Sequence, residues 1–224
     1  MGTAHCGPGP QVAYAFLNRR TVVKDTLTLK AIVDDPDCIT ESVALPAGES
    51  VELRALRPGD APLLGRFFLG LSPDTRGRFA PHPFTVEQAE KLCAEINYED
   101  TIRMIAVTDK DGRPEMITYF ILIPRFSDEY RQRYVDRGTP LSLETDSGIA
   151  PCVADAYQDR GVGSVLMPRV MDVARRLGRR RMVLIGGVLA TNERAFHFYK
   201  KLGFRHIGTF WTDVENYDMI LELV

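Results

Sequence analysis

The segment Gln158-Asp159-Arg160-Gly161-Val162-Gly163-Ser164 decides how the rest of the chain is read. It follows a β candidate ending near residue 154. It opens a run, 160–177, in which Val162, Val165, Leu166, Val170, Val173, Ala174 and Leu177 form one apolar stripe at helical spacing. The first N–H groups of a helix have no partner within it and sit at the positive end of its dipole. Two glycines leave those groups uncovered by any Cβ, so anionic oxygens can approach. A diphosphate suits such a nest of amides. A tight turn that uses Gly only for its backbone freedom explains the same letters, so a second signal is needed. Two competing phosphate loops fail on spacing. No GxxxxGK[ST] is present, and Leu166 stands where a GxGxxG loop needs its third Gly.

Downstream, Gly178 stops the helix, and Pro168 inside it should kink it, because proline offers no N–H to the carbonyl of Ser164. Residues 182–189 are an almost continuous apolar run, as in a strand covered on both faces. Strand, helix and strand in that order predict a right-handed crossover joining two parallel strands. Residues 192–202 then read as a helix ended by Gly203, and 205–211 with 217–223 as an antiparallel pair.

Upstream, Val51, Leu53 and Ala55 alternate with polar residues, a strand stopped by Pro58-Gly59-Asp60. Residues 61–71 read as a helix with Pro62 in its first turn, followed by a turn at Ser72-Pro73-Asp74. A second helix, 86–97, has Thr85 and Gln88 as a capping box. Strands 102–108 and 115–123 flank a hairpin signal, Lys110-Asp111-Gly112-Arg113. Residues 125–139 are a polar excursion, read as a short helix or an acceptor-side lid. Residues 141–154 read as one strand with a bulge at Asp146-Ser147-Gly148. The sum is an α/β fold: a mixed, mostly antiparallel sheet with one central parallel pair and helices on both faces. Residues 51–224 form this domain. Residues 1–50, with β-leaning stretches at 11–16 and 26–33, form an extension that packs on the domain or serves a dimer contact.

Composition narrows the function. A net charge of −2 with mixed signs gives no field for nucleic acid or an anionic membrane. No apolar stretch is long enough to span a bilayer, and the N-terminus lacks the order of a signal peptide. Cys6, Cys38, Cys93 and Cys152 are scattered, with no metal-ligand spacing, which fits reduced thiols in a cytoplasmic protein without a metal.

The second signal is Asn192-x-x-Ala195-x-x-Phe198-Tyr199-x-x-x-Gly203-Phe204. Together with Gln158-x-x-Gly161-x-Gly163, in this order and spacing, it resembles the GNAT superfamily of N-acetyltransferases over about residues 51–224. The resemblance implies acetyl-CoA as co-substrate and an amine of a small molecule or protein as acceptor. It implies that the backbone at Val153 pairs with the pantetheine arm. The backbone of Asp159, Arg160, Gly161, Val162, Gly163 and Ser164, after Gln158, would hold the diphosphate. Asn192 would contact the cofactor, and Tyr199 would stand near its sulfur as general acid. Homodimers are common among such proteins.

As a residue, Asn192 is equally an N-cap and Tyr199 equally a core tyrosine. Many relatives carry a Glu where this chain has Gly148. Glu144 and Asp146 lie nearby and are the candidates for general base; His82 is read as a loop histidine, and Cys152 as buried filler. Two other readings stay open: a non-catalytic CoA-binding module, and a transferase for another acyl chain or a hydroxyl acceptor.

Overall fold

The computed structural model describes residues 26–223 apart from 125 and 127. The β-leaning stretch 11–16 lies outside the described residues. Among the described residues nine strands form one sheet, in the order β1 (Glu41–Ala44), β2 (Ser50–Ala55), β3 (Ile102–Lys110), β4 (Arg113–Ile123), β5 (Asp146–Val153), β6 (Arg181–Leu184), β9 (Glu215–Glu222) and β7 (Val188–Leu189), with β8 (Arg205–Trp211) also paired to β9. Every pairing is antiparallel except β5 with β6.

The first elements differ from their sequence reading. Residues 26–33 do not extend; they begin helix α1 (Leu29–Asp34). The Thr28 hydroxyl accepts the Ala31 N–H at 3.1 Å, and Lys30 pairs with Asp34 one turn on. Ile32 is fully buried, so packing overrides the β preference of Ile32 and Val33. Strand β1 (Glu41–Ala44) then pairs with β2 (Ser50–Ala55), so residues 41–50 belong to the same sheet as the domain that follows.

Helix α2 (Ala61–Gly70) is followed by α3 (Pro73–Arg78) where a simple turn was expected, because Ser72 caps it by accepting the Thr75 N–H. Helix α4 (Val86–Ala94) starts at its Thr85 cap and stops three residues earlier than the pattern suggested. Strands β3 (Ile102–Lys110) and β4 (Arg113–Ile123) turn through Asp111 and Gly112, both left-handed, as a two-residue hairpin requires. The excursion is helix α5 (Asp128–Val135).

Strand β5 (Asp146–Val153) begins at Asp146, where a bulge was expected, and residues 141–145 precede it outside the sheet. Helix α6 (Val162–Arg176) carries Pro168 without ending there. The apolar run 182–189 is not one strand. It breaks into β6 (Arg181–Leu184) and β7 (Val188–Leu189) because Gly186 and Gly187 both turn left-handed, at φ 74° and 72°. Helix α7 (Glu193–Lys201) and strands β8 (Arg205–Trp211) and β9 (Glu215–Glu222) are the last described elements.

Both sheet faces are covered. On one, Leu166, Val170 and Ala174 of α6 and Ile32 of α1 pack on Met104, Phe120 and Met219. On the other, Leu64, Phe68 and Leu92 of α2 and α4 pack on Ile105, Tyr119 and Ile121. Helix α5 closes the same face further along, with Tyr134 on Val183 and Ile220.

Candidate active site

Strand β5 pairs with β6 only from Asp146 to Ile149. The Ile185 N–H makes the last rung, to the Ile149 carbonyl at 3.0 Å. The chain then veers away through Gly186 and Gly187. Residues 150–153 keep β4 on one side and have no strand on the other. Main-chain groups alternate sides along a strand. With the Ile149 carbonyl facing β6 and the Ala154 N–H bonded to Ile117 of β4, the open side receives the Pro151 carbonyl and both polar groups of Val153. Pro151 has no N–H to lose there, which suits an unpaired edge. The split opens into a cleft of about 780 Å³ that reaches the glycine turn, Asn192 and Tyr199.

Asp159 (φ 57°) and Gly161 (φ 77°) are left-handed, and α6 starts at Val162 with no side-chain cap. No acceptor among the described residues takes the N–H of Val162, Gly163 or Ser164. The side chains of the turn bond elsewhere. Gln158 donates from Nε2 to the Val153 carbonyl at 3.0 Å and to the Thr75 hydroxyl at 3.1 Å. Arg194 reaches back from α7 to Asp159 at 2.8 Å and to the Gln158 side-chain oxygen. The glycines have a second duty, unforeseen from the sequence. A Cβ on Gly163 would lie 3.2 Å from the Phe198 ring, and one on Gly161 3.2 Å from Pro46. Glycine therefore lets α7 close onto α6, as well as leaving the amides open.

Asn192 caps α7, its Oδ1 accepting the Ala195 N–H at 3.2 Å, and it also lines the cleft. Tyr199 lines it too, 8% exposed, edge-on to Phe198 and Phe204. Its hydroxyl has no hydrogen-bond partner among the described residues. Burial, and then nearby Cys152, push its pKa above the usual phenol value. Burial likewise pushes the Cys152 thiol up to about 12, so it stays protonated and unreactive.

The structure does not bring Glu144 or Asp146 to this place. Glu144 is exposed, and its carboxylate accepts the Ser142 hydroxyl at 2.8 Å, which lowers its pKa. Asp146 is fully buried, held by Arg181 through two nitrogens and by the Ser142 N–H at 2.7 Å. Neither lines the cleft. A carboxylate at position 148 would have to displace side chains, since a Cβ there would lie 2.7 Å from Ile185 and 2.9 Å from Phe126. Asp146→Asn is expected to lower the stability measured in urea by about 3 kcal/mol, because it leaves Arg181 partly buried and unpaired. Turnover per folded molecule should not change; a selective loss of turnover would return Asp146 to the chemistry.

His82 lies behind the cleft wall. Its Nε2 meets the Tyr119 hydroxyl at 3.3 Å, the Arg103 Nε donates to that hydroxyl at 3.0 Å, and burial lowers the imidazole pKa. Sequence reasoning missed Arg194, Thr75 and Ile185. Arg194 sits inside the recognised motif, whereas Thr75 and Ile185 carried no local signal. No group of three or more His, Cys, Asp or Glu able to hold a metal occurs among the described residues, and no described helix is long and apolar enough to cross a membrane.

Comparison with known proteins agrees with this geometry. Residues 149–204 match the family model described as Acetyltransferase (GNAT) family. An acetyltransferase of Pseudomonas aeruginosa is 30% identical over 145 residues, which span 62% of this chain and 67% of that protein. Among solved structures, the GNAT domain of S. lividans PAT superposes with a TM-score of 0.65 at 21% identity, covering 84% of this chain and 98% of that one. Aminoglycoside acetyltransferase AAC(6')-Ib, solved with coenzyme A and kanamycin, gives 0.57 at 20% identity, covering 77% and 94%. Mycobacterium smegmatis RimJ, solved with CoA-disulfide, gives 0.58 at 14%, covering 82% and 86%. These last three speak for the fold. With the family model lying over the strand split, the glycine turn and α7, and with the Pseudomonas relative beside it, the chain belongs to the acetyltransferase (GNAT) family and is an N-acetyltransferase that uses acetyl-CoA.

Proposed function

We propose that the cleft transfers the acetyl group of acetyl-CoA directly to a primary amine of a small molecule or protein. The observation that carries this reading is the continuity of one cleft from three unpaired helix amides to an unpaired strand edge. The amides of Val162, Gly163 and Ser164 suit a diphosphate, and Gln158, Asp159, Arg160 and Gly161 shape the turn that presents them. Arg194, His197 and Lys201 of α7 line the same end and suit further phosphate charge. The Val153 N–H and the Pro151 carbonyl suit the amides of a pantetheine arm. Asn192 stands beside that path.

The acceptor nitrogen attacks the thioester carbonyl, the carbon–sulfur bond breaks, and the sulfur leaves as a thiol with a proton from Tyr199. The proton that the nitrogen sheds in becoming an amide restores the phenol through solvent. An ordinary thiol has a pKa of about 8.5 and a phenol about 10. Burial raises the proton affinity of both anions, so the phenol supports the departing sulfur first as a hydrogen-bond donor. With position 148 filled by Ile185 and Phe126, the amine attacks as its free base, without a strand carboxylate to deprotonate it.

An amine panel followed by CoA release tests the reading. At least one primary amine should give turnover, and its kcat/KM should rise with pH toward that amine's own pKa, since the charged form cannot attack. Tight CoA binding with no turnover on any amine would favour the non-catalytic reading. A clear preference for hydroxyl acceptors or longer acyl chains would move the assignment to the other transferase reading.

A further inference from the structure

The wall of the cleft opposite β5 is the turn from Leu184 to Gly187, and α5 is bolted to it. The Tyr130 hydroxyl donates to the Leu184 carbonyl at 2.6 Å and accepts the Gly186 N–H at 3.1 Å. That carbonyl also accepts the Gly187 N–H at 3.2 Å, so one oxygen gathers both ends of the turn. From the other side the turn rests on the last strands. A Cβ on Gly187 would lie 2.7 Å from the Phe210 ring and 2.8 Å from the Tyr217 carbonyl. The turn is thus held between β8, β9 and one phenol.

The phenol is itself held firmly. Phe126 stacks on its ring at 5.6 Å with 8° between planes. The Arg133 guanidinium lies 4.5 Å from the Tyr130 ring centre and 3.8 Å from that of Phe210. Fully buried Asp218 pairs with Arg133 at 3.1 Å and with Arg137 at 3.0 Å. Arg137 also donates to the Thr209 carbonyl at 2.6 Å. These ties make α5 a strut rather than a mobile lid.

We infer that Tyr130 is a positioning residue: its hydroxyl fixes the Leu184–Gly187 turn against α5 and so sets the width of the gap beside β5 in which the thioester arm lies. This rests on the proposed reading of the cleft. The Tyr130 hydroxyl bonds the Leu184–Gly187 turn, which faces β5 rather than the start of α6, so its effect falls on the arm and not on the diphosphate.

Tyr130→Phe removes the hydroxyl and keeps the stacked ring. Calorimetry would compare wild type and variant with two probes: acetyl-CoA, and ADP, which carries a diphosphate but no arm. Acetyl-CoA should bind about tenfold more weakly to the variant, with ADP affinity unchanged within about twofold. Tyr98→Phe, which removes a hydroxyl that donates to the Leu56 carbonyl at 2.7 Å away from the cleft, controls for loss of stability and should leave both affinities in place. Wild-type affinity for acetyl-CoA in Tyr130→Phe, or an equal loss for both probes, overturns the inference. A wild-type protein that binds neither probe overturns the reading of the cleft as well.

Discussion

Gly163→Glu should weaken acetyl-CoA binding at least about a hundredfold in calorimetry while the protein stays folded. A carboxylate about 4 Å from a bound diphosphate costs on the order of 4 kcal/mol at an effective dielectric of 20, and exposure of the turn to water reduces that to about two decades of affinity. The Phe198 ring must also give way to the new Cβ, which would lie 3.2 Å from it. In the empty protein the same change has opposing effects. Glycine is a poor helix former, by about 1 kcal/mol against alanine, and a negative charge in the first turn of α6 suits the helix dipole. Melting should therefore move little while the ligand is lost. Gly163→Ala, which brings the crowding without the charge, should lose far less. Undiminished affinity in Gly163→Glu would show that the open amides do not hold the anion.

Tyr199→Phe is expected to lower kcat by about a hundredfold with the KM for acetyl-CoA within about twofold, the pattern of an interaction made only as the sulfur departs. Stability gives an independent control. Removing a hydroxyl that faces the cleft and has no hydrogen-bond partner among the described residues is close to neutral. The variant should thus melt near the wild-type temperature and still turn over slowly. The raised pKa fixes the sign of the pH effect. The phenol keeps its proton throughout the range in which the enzyme is assayed, so any loss of activity through its ionisation appears only as pH rises beyond the ordinary phenol range. Wild-type turnover in the variant would make Tyr199 a packing residue of α7 and nothing more.

The features legible from sequence were those governed by neighbouring residues. The Asp111-Gly112 hairpin, the Thr85 cap, and the glycine turn between a strand and an apolar-striped helix each follow from local backbone rules, and the structure contains all three. The split itself was misread. An apolar run looks like a strand whether or not it is continuous, and only the Gly186-Gly187 pair within it hinted at the break. The segment 26–33 was misread for a related reason: its β-branched residues outweighed a single threonine cap, while Ile32 folds into a helix to reach a core built by residues far along the chain. Asp146 lay beyond local reasoning. Its partner Arg181 is thirty-five residues away, so nothing nearby in the sequence showed that its charge was already spoken for.

The last strand has a consequence for how the protein is made. β9, residues Glu215–Glu222, is the only element that joins β6, β7 and β8 among the described pairings. A chain still on the ribosome can assemble β1 to β5 from its earlier residues, since domains form from the N-terminal side during synthesis. It cannot yet seat the far bank of the split. Competence to receive acetyl-CoA should therefore arrive only when β9 has emerged and paired, and a chain cut before Glu215 should be half built rather than merely shortened.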